Sequence, residues 1–307
     1  MTDSVKAGIR PQALSDVITA VEGVFLGRRD AIEIALICLL ADGHLLIEDM
    51  PGSGKTSLSA ALAQVLGLQF NRVQCTNDLL PADITGLSLF DRDKGEFTVK
   101  EGPVFTQILL ADELNRAPSK TQSALLQAME ERVVSIDTET RSLPKPFLVI
   151  ATQNPREHIG TFDLPESQLD RFSLSMAIGR PDTQIQKEIL SKPQRRTTNL
   201  DAIVSDTDVL AMQAEVTEIT THPDILDYLL RLVDEIELKC HINLSVRYRQ
   251  QLLQLARACA YLDGRDYVIP DDIQTMLAYS LNHRMGRGDK AARNEILQAA
   301  LADIAVP

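Results

Sequence analysis

The chain has 307 residues, 44% of them hydrophobic, which is enough for two ordinary domains with cores of their own. Acidic residues outnumber basic ones by 43 to 31, and the formal net charge of −12 argues against a nonspecific nucleic-acid tracker, whose affinity rests on clustered lysine and arginine. No apolar run of about 18 residues is free of charge, since 31–47 is broken by Glu33, Asp42 and His44, so no membrane span is expected.

The first informative segment is Leu45-Leu46-Ile47-Glu48-Asp49-Met50-Pro51-Gly52-Ser53-Gly54-Lys55-Thr56, an apolar strand that runs into a small-residue loop and then a helix closed by Gly67. Successive backbone N–H groups of such a loop can point at phosphate oxygens, with a lysine for the outer phosphates and a hydroxyl for magnesium. The usual pattern begins with glycine at the position held here by Asp49. Next, Leu87 to Phe90 and Glu96 to Val99 alternate around the polar turn Asp91-Arg92-Asp93-Lys94-Gly95, which predicts a β-hairpin.

Ile108-Leu109-Leu110-Ala111-Asp112-Glu113 is a buried-strand pattern ending in two carboxylates, as expected where a parallel strand delivers acids to the carboxyl edge of a sheet. Asp112 is suited to a magnesium shell and Glu113 to orienting and polarising a water. A second hairpin is predicted across 132–143, directly before the strand Phe147 to Thr152, which ends in Gln153-Asn154-Pro155 and sets an amide near the acids if the strands are neighbours. Farther on, Leu164 to Phe172 carries Arg171 just ahead of another strand, 173–178.

Composition and pattern change near 181–199. Up to Arg180 short apolar strands alternate with helices, the layout of a mostly parallel sheet covered on both faces. Beyond, period-two segments nearly vanish: Ile225, Leu229, Leu232, Val233 and Ile236 recur at helical spacing, as do Leu252, Leu255, Ala256 and Cys259, and Pro270-Asp271-Asp272 starts another helix. Cys38, Cys75, Cys240 and Cys259 show no metal spacing, and the five histidines form no ligand pattern. With Met1 to Lys6 lacking the basic-then-apolar plan of a secretory signal, a cytoplasmic location is expected.

The segments Leu110 to Pro118, Ala151 to Pro155 and Leu164 to Phe172, in this order and spacing behind the glycine loop, resemble a MoxR-family AAA+ ATPase from about Asp16 to about Asp303. The resemblance implies an α/β fold: an AAA+ P-loop core with a mostly parallel sheet flanked by helices over 1–190, followed by a smaller all-helical lid over 191–307. It implies binding of ATP and Mg2+ by Pro51, Gly52, Ser53, Gly54, Lys55, Thr56 and Ser57, with Thr56 and Asp112 toward the metal. Glu113 becomes the Walker B glutamate, Asn154 sensor 1, Arg171 an arginine finger acting from an adjoining subunit, and Gly27 part of the segment against adenine. Arg247 would be sensor 2, although Asn243-Leu244-Ser245-Val246-Arg247 keeps only the serine and arginine of the family's Gly-Ala-Ser-Pro-Arg run, and Arg249 competes for the role.

The implied activity is ATP hydrolysis by a homo-oligomeric ring, hexameric by family habit, that remodels or matures a protein client with a VWA-domain partner. A chelatase-like nucleotide-gated subunit is the alternative, and a nucleic-acid motor a weaker one, since Lys94, Lys100 and Arg141 stand beside Glu96, Glu101 and Glu139. The two hairpins face pore or client on one reading, and serve as inter-subunit packing on the other.

Overall fold

The structure, a computed structural model, describes residues 3–50, 52–93, 95–137, 139–154, 161–162, 164–191, 200–285 and 290–307, the side chains of 3–11 and 290–293 excepted. Two helices lead in, α1 (Asp3–Glu22) and α2 (Arg29–Leu40). The core then runs β1 (Leu45–Glu48), α3 (Lys55–Val65), β2 (Phe70–Gln74), α4 (Pro81–Thr85), β3 (Gly86–Asp91), β4 (Glu96–Glu101), β5 (Ile108–Asp112), α5 (Ser119–Glu131), β6 (Val133–Ile136), β7 (Glu139–Ser142), β8 (Leu148–Gln153), α6 (Glu166–Leu169) and β9 (Leu174–Met176). After α7 (Thr183–Ser191) come only helices: α8 (Asp206–Thr217), α9 (Pro223–Cys240), α10 (Val246–Leu262), α11 (Pro270–Leu281) and α12 (Lys290–Asp303).

Five strands form one sheet in the order β2-β5-β8-β1-β9, and every pairing in it is parallel. Such strands are buried on both faces, which is why 108–111 and 148–151 read as unbroken apolar runs. Alternation sorts those residues between two cores. Leu45, Ile47, Ile108, Leu110, Leu148 and Ile150 pack toward α1, α2, α3 and the C-terminal helices, whereas Leu46, Leu109, Ala111, Val149 and Ala151 pack with Leu125, Leu126 and Met129 of α5. The first core passes without interruption into the lid, through contacts of α2 with α8 and α10 and of α11 with β9. The expected boundary at 190/191 adjoins 192–199, which lie outside the described residues.

Both hairpins form, β3 with β4 and β6 with β7, each antiparallel. On the first, Phe90 and Phe97 stand opposite each other with ring centroids 5.2 Å apart, and both are exposed. Arg141 on the second reaches Glu101 on the first at 3.1 Å and its own neighbour Glu139 at 2.8 Å.

The lid's helical pattern translates into burial, since Ile225, Leu229, Leu232, Val233 and Ile236 are all interior. His241 stops α9 in a left-handed conformation, φ 53°. Cys259 lies within reach of Asp263 and Asp272, but Arg265 already pairs with both carboxylates, at 2.9 and 2.6 Å, so this cluster is an ion-pair network.

His44 is buried beneath the sheet: Nδ1 accepts from the Val149 N–H at 3.0 Å and Nε2 donates to the Met129 carbonyl at 3.1 Å. Burial holds His44, and likewise His283, well below the usual histidine range. The unfolded chain therefore binds protons that the folded chain refuses, and stability is full above about pH 6.5 and falls below it by up to about 1.4 kcal/mol per histidine per pH unit. Urea unfolding at pH 7.5 and 5.5 should show this loss. His44→Gln should make it smaller, and an unchanged loss would show that His44 titrates normally.

Candidate active site

In an all-parallel sheet the loops after the strands gather at one edge. Because β1, β8 and β5 are adjacent, the loop after β1, the amide after β8 and the acids after β5 come together there. The loop is shaped by Gly52 and Gly54, at φ 86° and 90°, where side-chain-bearing residues are strained. At Gly54 a second constraint applies: a Cβ would meet the Phe25 ring at 2.7 Å. Gly54 caps α3, whose first residue Lys55 is buried and donates from Nζ to the Asp49 carbonyl at 2.9 Å. Thr56 and Ser57 follow on the first turn, and Pro51 lies outside the described residues.

Asp49 does not use glycine's conformational freedom, for it is absent from the residues with positive φ. Its carboxylate is a tether. One oxygen accepts from the Met50 N–H and the other from the Gly179 N–H, both at 2.7 Å, so the start of the loop is tied to the segment leaving β9.

A cleft of about 430 Å³ opens here, lined by 24–26, Arg28, Asp49, Met50, 52–54, Ser57, 179–181 and Ile189. That size suits a nucleotide-sized ligand. Nε and Nη2 of Arg28 and Oγ of Ser53 are buried without a hydrogen-bond partner, and both residues line the cleft, so the site offers donors that an anionic ligand would satisfy. Gly27 packs on Ile185 of α7, and its neighbours 24–26 and Arg28 line the cleft.

Strand β5 ends at Asp112, and Glu113 turns the chain in a left-handed conformation, φ 56°. The backbone thus changes course between the two acids, where a continuing strand would have set them on opposite faces. Asp112 accepts from Arg72 Nη2 and from Thr152 Oγ1, each at 2.7 Å, which leaves lone pairs for a cation's water shell. Thr152 Oγ1 in turn accepts from the Glu113 N–H at 2.8 Å. The Glu113 carboxylate accepts from Gln74 Nε2 and Arg116 Nη1, both at 3.0 Å. Asn154 is buried directly after β8, between acids and loop.

Arg171 and Arg247 are elsewhere. Arg171 precedes β9, and the Ser173 N–H donates to the carbonyl of His44, which itself precedes β1; this is the amino edge of the sheet. Arg171 Nη1 donates to the Leu126 carbonyl at 3.0 Å and to Glu130, and Arg247 Nη1 donates to the same Glu130 carboxylate. The hydrogen bond from Arg247, together with the Arg171 charge, holds Glu130 below the usual carboxylate range. Neither arginine lines the cleft, and strands of four to six residues, at about 3.3 Å each, separate the two edges. Arg249 is engaged inside the lid by Asp234 and Glu237, both at 2.8 Å.

Sequence reasoning missed Arg28, Arg72, Gln74, Thr152, Arg116 and Glu130. A signal existed for two of them, since Gln74 is level with Asp112 in the ladder and Thr152 ends an apolar strand as a polar residue at the carboxyl edge.

Residues 44–174 match the ATPase family associated with various cellular activities (AAA), and residues 237–304 match the AAA lid domain. The chain is 36% identical to the chaperone MoxR1 of Mycobacterium tuberculosis, over 96% of this chain and 82% of that protein. It is 32% identical to the MoxR protein of Paracoccus denitrificans, over 94% of each. The chain belongs to the MoxR family of AAA+ ATPases. The solved structure of a Cytophaga hutchinsonii protein designated an ATPase superposes on this MoxR-family chain with a TM-score of 0.91 at 34% identity, covering 100% of this chain and 98% of that one. Membership of this ATPase family implies that the chain binds nucleotide.

Gly54→Ala should weaken nucleotide binding at least tenfold, because it combines positive φ with the Phe25 clash. Gly52→Ala, with open space around it, should carry only backbone strain of about 1 kcal/mol. Titration calorimetry and urea unfolding on the two variants check the difference.

Proposed function

We propose that this MoxR-family ATPase hydrolyses ATP at a site completed by the next protomer of a ring, and uses the cycle to remodel a protein client. The observation that carries the reading is the placement of Arg171 and Arg247 on Glu130 at the amino edge, remote from the cleft of their own chain. A positive pair turned away from its own phosphates is placed to serve a neighbour's.

Within one protomer, the amides of 52–54 and the start of α3 hold the phosphates, and Lys55 moves from the Asp49 carbonyl to the outer phosphate oxygens. Thr56 and Asp112 are the residues to hold Mg2+, which when bound neutralises charge on those oxygens. Glu113 accepts a proton from the attacking water at its carboxylate, with Gln74 and Arg116 fixing that carboxylate and Asn154 fixing the water. The water oxygen bonds to the terminal phosphorus as the bond to the bridging oxygen breaks, and ADP carries away the displaced charge. Arg171 and Arg247 of the adjoining protomer stabilise the charge on the transferring group.

A protein client is supported by the exposed Phe90 and Phe97 pair, and a nucleic-acid track is disfavoured because Arg141 is neutralised by Glu101 and Glu139. The relative named a chaperone agrees with this assignment. The ring, its hexameric size, the VWA-domain partner and a cytoplasmic setting rest on the family resemblance. Among the described residues, no helix is long and apolar enough to cross a membrane.

The test is ATPase rate against protein concentration, with oligomer mass followed in the same samples. Wild-type specific rate should rise as assemblies form, and Arg171→Ala should lose at least 100-fold in kcat while dilute protein still binds nucleotide, on the scale of an arginine finger. Lys55→Ala should not bind ATP, whereas Glu113→Gln should bind and retain it. A specific rate independent of concentration, with Arg171→Ala fully active, would place a complete site in one protomer.

A further inference from the structure

The residues that flank both arginines at the amino edge are held by a third arginine. Arg284 follows α11, and its side chain is 6% exposed. Its Nε donates to Asp170 Oδ1 at 3.0 Å, and its Nη2 donates to the carbonyls of Asp170 at 3.1 Å and Phe172 at 2.9 Å. The residue between those two carbonyls is Arg171. Nη2 also reaches Gln251 Oε1 of α10 at 3.2 Å, and Nη1 reaches the Ser280 carbonyl. The guanidinium lies 4.9 Å from the centre of the Tyr248 ring, and Tyr248 is the residue after Arg247. Tyr248 is fully buried, with its hydroxyl on Ser280 Oγ at 2.9 Å. His283, next to Arg284, adds a contact of 3.0 Å to the Phe172 carbonyl.

We infer that Arg284 is a positioning residue that sets Arg171 and Arg247 as a pair, so that the lid fixes the reach of the charge presented to the neighbouring site. The inference rests on the shared-site reading above. Only an arginine suits the place: a planar fork of five donors meets three carbonyls, a carboxylate and an amide at once, whereas a lysine offers a point charge. Burial of that charge is balanced by Asp170, which shares the clamped backbone with Arg171. Because the clamp joins α10 and α11 to 170–172, any rotation of those helices carries the flanks of both functional arginines together.

Arg284 does not line its own chain's cleft, and this separates positioning from general damage. In Arg284→Gln, assembled protein should lose at least tenfold in kcat, with KM for ATP and the affinity of dilute protein for ATP changed less than twofold. Arg284→Lys, which keeps the charge without the fork, should show the same split with a smaller loss, and it decides the matter if the glutamine variant does not fold. Mixing Arg284→Gln with Lys55→Ala supplies the sharper readout. The first variant keeps an intact cleft and the second an intact arginine pair, so co-assembled protein should hydrolyse ATP faster than either alone.

An unchanged kcat in both Arg284 variants, a parallel loss of nucleotide affinity in dilute protein, failure of both variants to assemble, or no recovery on mixing would each overturn the inference. Wild type and Arg171→Ala run alongside tell the two ideas apart. If Arg171→Ala is as active as wild type, the shared site itself fails. If Arg171→Ala is inactive and the Arg284 variants are normal, only the clamp fails.

Discussion

The one-way direction of the sheet governs nearly everything else in this molecule. Parallel strands must be returned by crossovers, so each strand sends its outgoing loop to the same edge and receives its incoming one at the other. The glycine loop, the two acids and Asn154 are outgoing; Arg171 is incoming. No local adjustment of Arg171 could bring it to the loop after β1, because the buried length of the strands stands between. The distance between Arg171 and the loop after β1 is therefore a consequence of topology rather than of any particular side chain.

At the outgoing edge, the acids are organised by neighbours from the flanking strands. Arg72 and Gln74 of β2 and Thr152 of β8 bracket Asp112 and Glu113, and the left-handed turn at Glu113 lets the two carboxylates serve different partners. Fixed donors of this kind orient a carboxylate before any substrate arrives, which is the condition under which electrostatics contributes most to a rate.

Much of this was legible in the sequence. The strands were readable because burial on both faces makes them continuous apolar runs, and the glycines because positive φ narrows the choice of residue. The lid helices were readable from a single apolar stripe. What could not be read were pairings across long separations. Nothing near Glu130 announces that residues 41 and 117 positions further along will share its carboxylate. Nor could the close approach of Ile185 to Gly27 be read, although the segment around that glycine does face the cleft. Arg28, one residue on, carries no local sign that its Nε and Nη2 are buried without partners.

The substitution that looked like a flaw in the motif, aspartate where glycine is usual, has a mechanical meaning. Through Asp49 the loop is bonded to Gly179, and the chain continues from there through Pro181 into α7, whose Ile185 supports Gly27 at the cleft's other wall. Loop, exit segment and helix thus form a closed circuit around the cleft. In such a circuit influence runs both ways with equal free energy: whatever a ligand in the cleft does to the bearing of α7, an outside force on α7 does to that ligand's affinity. A displacement of α7 would be passed through Gly179 to the start of the glycine loop, which makes Asp49 a strain gauge as much as a structural bond.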